Sequence, residues 1–218
     1  MAKLRVGVLA SGRGSNLQSL IDQSLSGRID AEIVLVAGNK ADAFALERAR
    51  QAGIATCVID HRKFASREAF DTAMVAALRE AGVELVVLAG FMRLLSSVFI
   101  DAFPQRIMNI HPSLLPAFPG LDVQRKALEY GARFSGCTVH FVDGGLDTGP
   151  IIIQSVVPIL ENDNEESLSA RILAQEHLIY PRAVQLFAEG RLRVEGRRVR
   201  VLPPADPAEA VLFNPAVD

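Results

Sequence analysis

The sequence lacks most features that mark secreted, membrane-spanning or nucleic-acid-binding proteins. Its 2 cysteines in 218 residues are too few for a disulfide framework or a cysteine-based zinc site. The 23 Lys and Arg nearly balance 25 Asp and Glu, giving a net charge of −2, so the chain is not a basic nucleic-acid binder overall. The longest apolar run, Leu85–Met92, is far shorter than the roughly 20 residues that cross a bilayer. The run Val6–Ala10 is too short for a signal peptide. We therefore expect a cytoplasmic protein with neither a nucleic-acid nor a membrane partner.

The composition present instead is that of a folded domain. Half of the residues are apolar and 22% are charged, which excludes a disordered chain and supplies a sizeable core. In the first half, short apolar strands alternate with amphipathic helices, a pattern typical of a parallel sheet covered on both faces. The strands predicted there are Leu4–Ala10, Ile33–Ala37, Ile54–Ile59, Leu85–Ala89 and Arg106–Ile110, and the helices are Asn16–Ser24, Asp42–Gln51, Ser66–Glu80 and Ser96–Ala102. The fold class is therefore α/β, a doubly wound and mostly parallel sheet.

The second half departs from that rhythm. Strands predicted at Gly136–Val142 and Ile151–Pro158 are joined by a Gly- and Asp-rich loop without room for a crossover helix, so we expect them to pair antiparallel. The later predicted elements are a helix at Glu165–Glu189 and hairpin strands at Arg191–Val194 and Arg197–Leu202. We count one domain, residues 1–202, followed by a Pro- and Ala-rich stretch, 203–218, that we expect to be a loose tail.

The first candidate site is the Gly-rich turn Ser11–Asn16, between the first strand and the first helix. Gly12 and Gly14 let the backbone approach an anion closely, and the helix N-terminus adds free N–H groups and positive charge. A dinucleotide site fits poorly, because Leu17 replaces the third glycine of that motif and no acidic residue ends the second strand. The turn therefore favours a monophosphate, and a structural turn without a ligand is the alternative.

The second candidate is the segment Asn109–Pro116, where the fifth strand ends. Alternate strand residues share a face, so Asn109 and His111 project together while Ile110 enters the core. An amide beside an imidazole can donate two hydrogen bonds to a developing oxyanion. A histidine satisfied by backbone groups at a strand end is the alternative.

The third candidate is the loop Asp143–Pro150, in which glycines and a proline surround two carboxylates. An aspartate there could orient a nearby imidazole and favour its charged form, or it could merely cap the backbone in an Asx-turn. His140, in the preceding strand, could face the same cleft or serve a structural role. His, Asp and Glu are not clustered at ligand spacing, so we predict no metal.

Five motifs together resemble the phosphoribosylglycinamide formyltransferases, the folate-dependent GAR transformylases of de novo purine synthesis. These are Ser-Gly-Arg-Gly-Ser-Asn at 11–16, Ala-Gly-Phe-Met-Arg at 89–93, Asn-Ile-His-Pro-Ser-Leu-Leu-Pro at 109–116, Leu-Asp-Thr-Gly-Pro at 146–150 and Gln-Glu-His at 175–177. The resemblance runs in order from about residue 4 to residue 202 and implies a Rossmann-like formyltransferase fold.

The resemblance implies a role for individual residues. The residues that would hold GAR are Gly12, Gly14, Ser15 and Asn16 at the phosphate and Glu176 near the ribose. The residues that would contact the co-substrate 10-formyltetrahydrofolate are Arg67, Met92, Arg93, Leu94, Leu95, Asn109, Asp143, Gly144 and Asp147. Asn109, His111 and Asp147 would be catalytic, with His140 as a further candidate. Arg67 rests on the short match Ser-Arg-Glu-Ala at 66–69.

The resemblance further implies a direct attack of the GAR amine on the formyl carbon, by a monomer or homodimer that needs no metal. Two motifs, at 109–116 and 146–150, look equally like formyltetrahydrofolate deformylase and methionyl-tRNA formyltransferase. Both relatives carry an additional domain, for which we expect this chain to have no room. Another formyl-folate enzyme is therefore the alternative, and a nucleotide-binding regulatory domain without turnover is the alternative outside enzymes.

Overall fold

The computed structural model describes residues 2–203 and residue 214. Within those residues the chain forms nine strands and six α-helices. The strands are β1 (Leu4–Ala10), β2 (Ala31–Gly38), β3 (Thr56–Val58), β4 (Leu85–Leu88), β5 (Ile107–His111), β6 (Phe134–Phe141), β7 (Ile151–Pro158), β8 (Leu192–Glu195) and β9 (Arg198–Val201). The helices are α1 (Ser15–Leu25), α2 (Phe44–Gln51), α3 (Arg67–Glu80), α4 (Ser97–Ala102), α5 (Val123–Tyr130) and α6 (Glu165–Ala188).

All nine strands belong to one sheet in the order β3-β2-β1-β4-β5-β6-β7-β9-β8. Strands β1 to β5 are parallel, which confirms the predicted doubly wound half. The pair β6–β7 is antiparallel, as its short connection predicted. The pair β5–β6 is also antiparallel, although α5 lies between these two strands in the chain. The terminal hairpin joins the same sheet, because β9 pairs parallel with β7 through Ile151 and Arg198.

Apolar side chains cover both faces of this sheet, as a doubly wound sheet requires. Alternate residues of β1 serve opposite faces: Val6 and Val8 pack with α1, α2 and α6, whereas Leu9 packs with α3 and α4. The Tyr180 ring of α6 is fully buried, and its hydroxyl lies 2.8 Å from the Leu88 carbonyl oxygen and 3.0 Å from that of Met108. This contact fixes the longest helix across β4 and β5.

One helix was missing from the expectations. Helix α5 buries only Val123 and Ala127, and its eight residues fall short of the window of about 11–18 residues over which apolar periodicity indicates a helix. Its end is marked by Gly131, which has φ +76°. The expected tail at 203–218 lies largely outside the described residues, although the Asn214 amide donates to the Ile159 carbonyl at 2.8 Å.

The parallel strands place three predicted segments at one edge of the sheet, which we call the carboxyl edge. The Gly12–Asn16 turn follows β1, the 90–95 segment follows β4, and His111 ends β5. Strand β6 runs antiparallel to β5, and its register sets His140 opposite Asn109. The carboxyl edge is where open α/β sheets bind ligands, and all of the strongest candidates meet there.

Candidate active site

Three predicted side chains surround the Asp147 carboxylate at the carboxyl edge. Asp147 Oδ2 lies 3.4 Å from His111 Nδ1, and Asp147 Oδ1 lies 3.5 Å from Asn109 Nδ2 and 3.8 Å from His140 Nε2. The His111 and His140 side chains are 6% and 2% exposed, and the Asp147 side chain is 11% exposed, so the cluster is nearly shielded from water. Electrostatic contacts are stronger in such surroundings than in solution.

Both ring nitrogens of His111 face acceptors. Nδ1 faces the Asp147 carboxylate, and Nε2 lies 2.9 Å from the carbonyl oxygen of Phe118. A histidine can donate from both nitrogens only as imidazolium, and here each nitrogen has an acceptor within reach. His111 therefore has both of the predicted partners: a backbone carbonyl at Nε2 and an aspartate carboxylate at Nδ1.

His140 sits on the other side of the carboxylate and is held as a neutral ring. Burial lowers the pKa of His140 below its ordinary value. Nδ1 lies 2.8 Å from the Phe141 carbonyl oxygen and donates to it, which leaves a lone pair on Nε2. That lone pair accepts from Asn109 Nδ2 at 3.2 Å. His140 thereby sets which way the Asn109 amide points.

The loop that carries Asp147 is shaped by its glycines and by Asp143. A Cβ at Gly149 would lie 1.7 Å from the Phe141 carbonyl oxygen, so no other residue fits there without moving the backbone. Asp143 Oδ1 accepts from the Gly145 N–H at 3.0 Å and from the Thr148 hydroxyl at 2.6 Å. The Asx-turn alternative thus describes Asp143, whereas Asp147 faces the two histidines.

Sequence reasoning missed two backbone groups of the cluster. The Gly120 N–H donates to Asp147 Oδ2 at 2.9 Å, and the Phe118 carbonyl accepts from His111. The Ser113 hydroxyl lies 2.6 Å from the Ala117 carbonyl oxygen and 3.1 Å from that of Phe118. The Pro-Gly pair at 119–120 signals a turn, but no residue type reveals which peptide groups that turn exposes.

The Gly12–Asn16 turn has the form expected of an anion site. Gly14 is the N-cap of α1 with φ +71°, and no side chain caps that helix end. A Cβ at Gly14 would lie 2.7 Å from the Cβ of Ala45 and 2.8 Å from its Cα, so glycine is required both for space and for φ. The first turn of α1 carries no acidic residue. Its free N–H groups and positive end are therefore available to an anion.

Glu176 of α6 lies beside that turn. Asn16 Nδ2 donates to Glu176 Oε2 at 2.7 Å, joining residues 160 positions apart. Glu176 is only 6% exposed, and burial raises the pKa of its carboxyl group above the ordinary value. A buried carboxylate with one hydrogen-bond donor is costly for the fold, so it is a candidate for a ligand-binding role.

The cost of Glu176 gives a prediction about stability. Because the carboxyl pKa of Glu176 is higher in the folded chain than in the unfolded chain, the folded chain holds this proton to a higher pH. The free energy of unfolding therefore falls as pH rises from the unfolded pKa through the folded pKa. We expect Glu176→Gln, which keeps an acceptor for Asn16, to raise the Tm by a few degrees at about pH 8 and not at about pH 4.5. Scanning calorimetry at both pH values measures the gain. The matched control is Glu166→Gln, an exposed change on the same helix; an equal gain there would contradict the prediction.

The 90–95 segment follows β4, the strand beside β1, and therefore lies next to the Gly12–Asn16 turn at the carboxyl edge. Its Met92 and Leu94 side chains are 70% and 55% exposed. The Arg93 guanidinium stacks over the Phe70 ring of α3, 5.3 Å from its centroid. Arg67 is the first residue of the same helix, and its Nε forms an ion pair with Oε1 of the neighbouring Glu68 at 3.7 Å. The structure thus places Arg67 one turn from the Arg93 contact and not within the Asp147 cluster.

Neither a metal site nor a membrane span emerges from the described part of the chain. Residues 2–203 and 214 contain no group of three or more His, Cys, Asp and Glu placed to hold a metal ion. No helix among those residues is both long and apolar enough to cross a membrane.

Known proteins resemble this chain over most of its length. A family model described as formyl transferase matches residues 4–184. The phosphoribosylglycinamide formyltransferase of Escherichia coli K12 is 48% identical over 191 residues, which cover 88% of this chain and 90% of that protein. The crystal structure of glycinamide ribonucleotide transformylase 1 from Symbiobacterium toebii has a TM-score of 0.91 and 56% identity, and covers 92% of this chain and 95% of that one.

Some relatives are much longer than this chain. The trifunctional purine biosynthetic protein adenosine-3 of Drosophila pseudoobscura is 56% identical over 192 residues, which are 87% of this chain and 14% of that protein. The chain therefore spans about a seventh of the length of this trifunctional relative and is similar to one part of it.

Proposed function

The chain belongs to the formyl transferase family, and on that premise we propose that it transfers the formyl group of 10-formyltetrahydrofolate to the amine of 5-phosphoribosylglycinamide (GAR). The observation that carries this proposal is the Asp147 carboxylate between Asn109 and His111, at the same edge as an uncapped helix N-terminus. One part can act on a carbonyl, and the other can hold a phosphate. Relatives and solved structures named for GAR formyl transfer support this choice of substrate.

The acceptor substrate suits the Gly12–Asn16 turn and Glu176. The free N–H groups of Gly14, Ser15 and Asn16 would hold the ribose phosphate, and Gly12 would let it approach. Glu176 Oε2 is held by Asn16, and a carboxylate fixed at that point can accept a hydrogen bond from a ribose hydroxyl. Anchoring the phosphate at this end would direct the amine toward the Asp147 cluster.

The co-substrate would occupy the side of the 90–95 segment. The exposed Met92 and Leu94 offer apolar contact to a pterin ring, alongside Arg93 and Leu95. Asp143 and Gly144 would border the same ring, and Arg67 would meet the outer carboxylates of the folate. The formyl carbon would then lie at Asn109, which also belongs to this set.

The reaction would proceed by direct attack of the GAR amine on the formyl carbon. A C–N bond forms, the carbonyl oxygen becomes an oxyanion, and the Asn109 amide and the His111 imidazolium donate to it. For both donors to do so, their contacts to Asp147, 3.4 Å from His111 Nδ1 and 3.5 Å from Asn109 Nδ2, would yield to the oxyanion. The bond from the formyl carbon to the folate nitrogen then breaks, with His111 giving its proton to that nitrogen. Asp147 receives the proton lost by the amine, through a water or directly, and passing that proton to His111 restores the carboxylate–imidazolium pair.

We also propose that the enzyme acts in the cytoplasm as a monomer or homodimer, with GAR and formyl-folate as its only substrates and without nucleic acid, membrane or metal. The chemistry supports the last point, because amide and imidazolium donors can stabilise the oxyanion without a metal ion.

The proposed function predicts which acceptor is formylated. Purified protein given 10-formyltetrahydrofolate should formylate GAR, and should neither formylate initiator methionyl-tRNA nor release formate in water alone. Mass spectrometry of the products and the absorbance of the folate distinguish the three reactions. Formate release without an acceptor would indicate a deformylase, and formylated tRNA would indicate a methionyl-tRNA formyltransferase-like enzyme. Tight NAD binding in calorimetry with no formyl transfer would support a regulatory domain instead.

A further inference from the structure

Ser11 joins the two segments that would hold the two substrates. It is 6% exposed and lies directly between β1 and the Gly12–Asn16 turn. Its hydroxyl oxygen accepts from the Met92 N–H at 3.2 Å, and its own N–H donates to the Gly90 carbonyl at 3.1 Å. One residue therefore holds the start of the 90–95 segment with both its side chain and its backbone.

The direction of the Ser11 hydroxyl is fixed from the opposite side. Its hydrogen is donated to Asn39 Oδ1 at 2.7 Å, and Asn39 is 4% exposed at the end of β2. Asn39 Nδ2 in turn lies 3.3 Å from His61 Nδ1 and can donate to it, which fixes which end of the amide faces Ser11. With its hydrogen committed to Asn39, the hydroxyl presents a lone pair to Met92.

The strand order explains this arrangement. β1 lies between β2 and β4, so the residue that follows β1 has Asn39 on one side and the 90–95 segment on the other. Gly90, with φ +73°, bends the chain after β4 and brings the Met92 N–H toward Ser11. The far end of the segment is held separately, where the Ser96 N–H donates to the buried Asp71 carboxylate at 2.6 Å.

We propose that Ser11 is a positioning residue that fixes the distance between the Gly12–Asn16 turn and the 90–95 segment, and so between the two bound substrates. The inference rests on the proposed function, in which these segments hold GAR and formyl-folate. Phe91 and Leu95 pack against the core and hold the segment as a whole. The Met92 side chain is exposed and contributes little packing, so the position of its backbone depends on the hydrogen bond to Ser11. Misplacing reacting atoms by about 1 Å can lower a rate 10²-fold even when binding persists.

The test compares Ser11→Ala with a matched control. In Ser11→Ala we expect the single-turnover rate at saturating concentrations of both substrates to fall about tenfold or more, with each dissociation constant within about threefold of wild type. Ser24→Ala serves as the control, because Ser24 is also buried and donates to the Ala31 carbonyl at 2.8 Å. It lies near the C-terminal end of α1, the opposite end from the Gly12–Asn16 turn. It should keep the wild-type rate within about twofold despite a similar loss of Tm.

A second readout needs no substrate. Loss of the Ser11 hydroxyl should speed hydrogen exchange at the Met92 amide about tenfold or more in the free protein, while Ser24→Ala leaves it unchanged. A wild-type transfer rate in Ser11→Ala, a loss confined to folate affinity, an equal loss in Ser24→Ala or unchanged Met92 exchange would each overturn the inference. The wild-type reaction with GAR tests the proposed function separately, because the role of Ser11 is judged by the ratio to wild type and by exchange.

Discussion

Asp147→Asn should lower kcat for formyl transfer by about 10³–10⁴-fold, the largest loss expected from any single conservative change in the chain. The carboxylate lies 3.4 Å from His111 Nδ1 and 3.5 Å from Asn109 Nδ2, so its charge acts on both proposed oxyanion donors. An amide in its place would neither stabilise the imidazolium nor receive the proton of the attacking amine. Loss of the charge removes both contributions together.

The fold should tolerate this change, so that the loss reports on chemistry. Asp147 has φ +54°, a conformation that asparagine adopts about as readily as aspartate. The oxygen of the new amide can still accept from the Gly120 N–H, now 2.9 Å from Oδ2. We therefore expect the Tm to stay within a few degrees of wild type and the dissociation constant of GAR to change little.

Asp122→Asn provides the matched control. Asp122 also has positive φ, +56°, but its exposed carboxylate pairs with Arg125 at 2.8 Å, away from the cluster. Exposed ion pairs contribute little, so this variant should keep wild-type kcat and Tm. Steady-state assays of both variants against wild type suffice. A kcat for Asp147→Asn within tenfold of wild type would remove the proposed charge from the mechanism.

Much of the fold was predictable because in its parallel half short apolar strands alternate with amphipathic helices, the pattern of a sheet covered on both faces. β1 was predicted with its observed bounds, since the largely apolar stretch Leu4–Ala10 stops abruptly at a Gly-rich turn. Helix α5 was missed because its eight residues are fewer than the roughly 11–18 over which apolar periodicity indicates a helix. The sheet position of the terminal hairpin also lay beyond the sequence, because pairing of β9 with β7 depends on contacts between segments distant in the chain.

Some residues of the site could be predicted from local sequence patterns, and others could not. The period of a strand was enough to place Asn109 and His111 on one face, and the structure confirms that both face Asp147. Composition could not tell Asp143 from Asp147, because their different contacts follow from the backbone of the loop. The family resemblance alone pointed to Glu176, since nothing local indicates that it meets Asn16. The roles of these residues stay predictions until variants are measured.

His111→Gln should lower kcat about 10²–10³-fold, the loss typical of removing one oxyanion donor. Glutamine is chosen because its amide can still donate to the Phe118 carbonyl, which His111 Nε2 now meets at 2.9 Å. It cannot, however, carry the positive charge that Asp147 supports or hand a proton to the departing folate nitrogen. Because the change removes a group that acts in the transition state, KM for both substrates should shift much less than kcat.

His61→Gln separates this effect from the loss of any histidine at the carboxyl edge. His61 is partly exposed, and its Nδ1 lies 3.3 Å from Asn39 Nδ2. Glutamine at this position keeps an acceptor for Asn39, so the kcat of His61→Gln should stay within about threefold of wild type. Measuring kcat and KM for both variants with saturating formyl-folate decides the matter. If His111→Gln raised KM for GAR but left kcat unchanged, His111 would bind the substrate without stabilising the transition state. Asn109 would then be the remaining side-chain donor to the oxyanion, because His140 Nδ1 already donates to the Phe141 carbonyl.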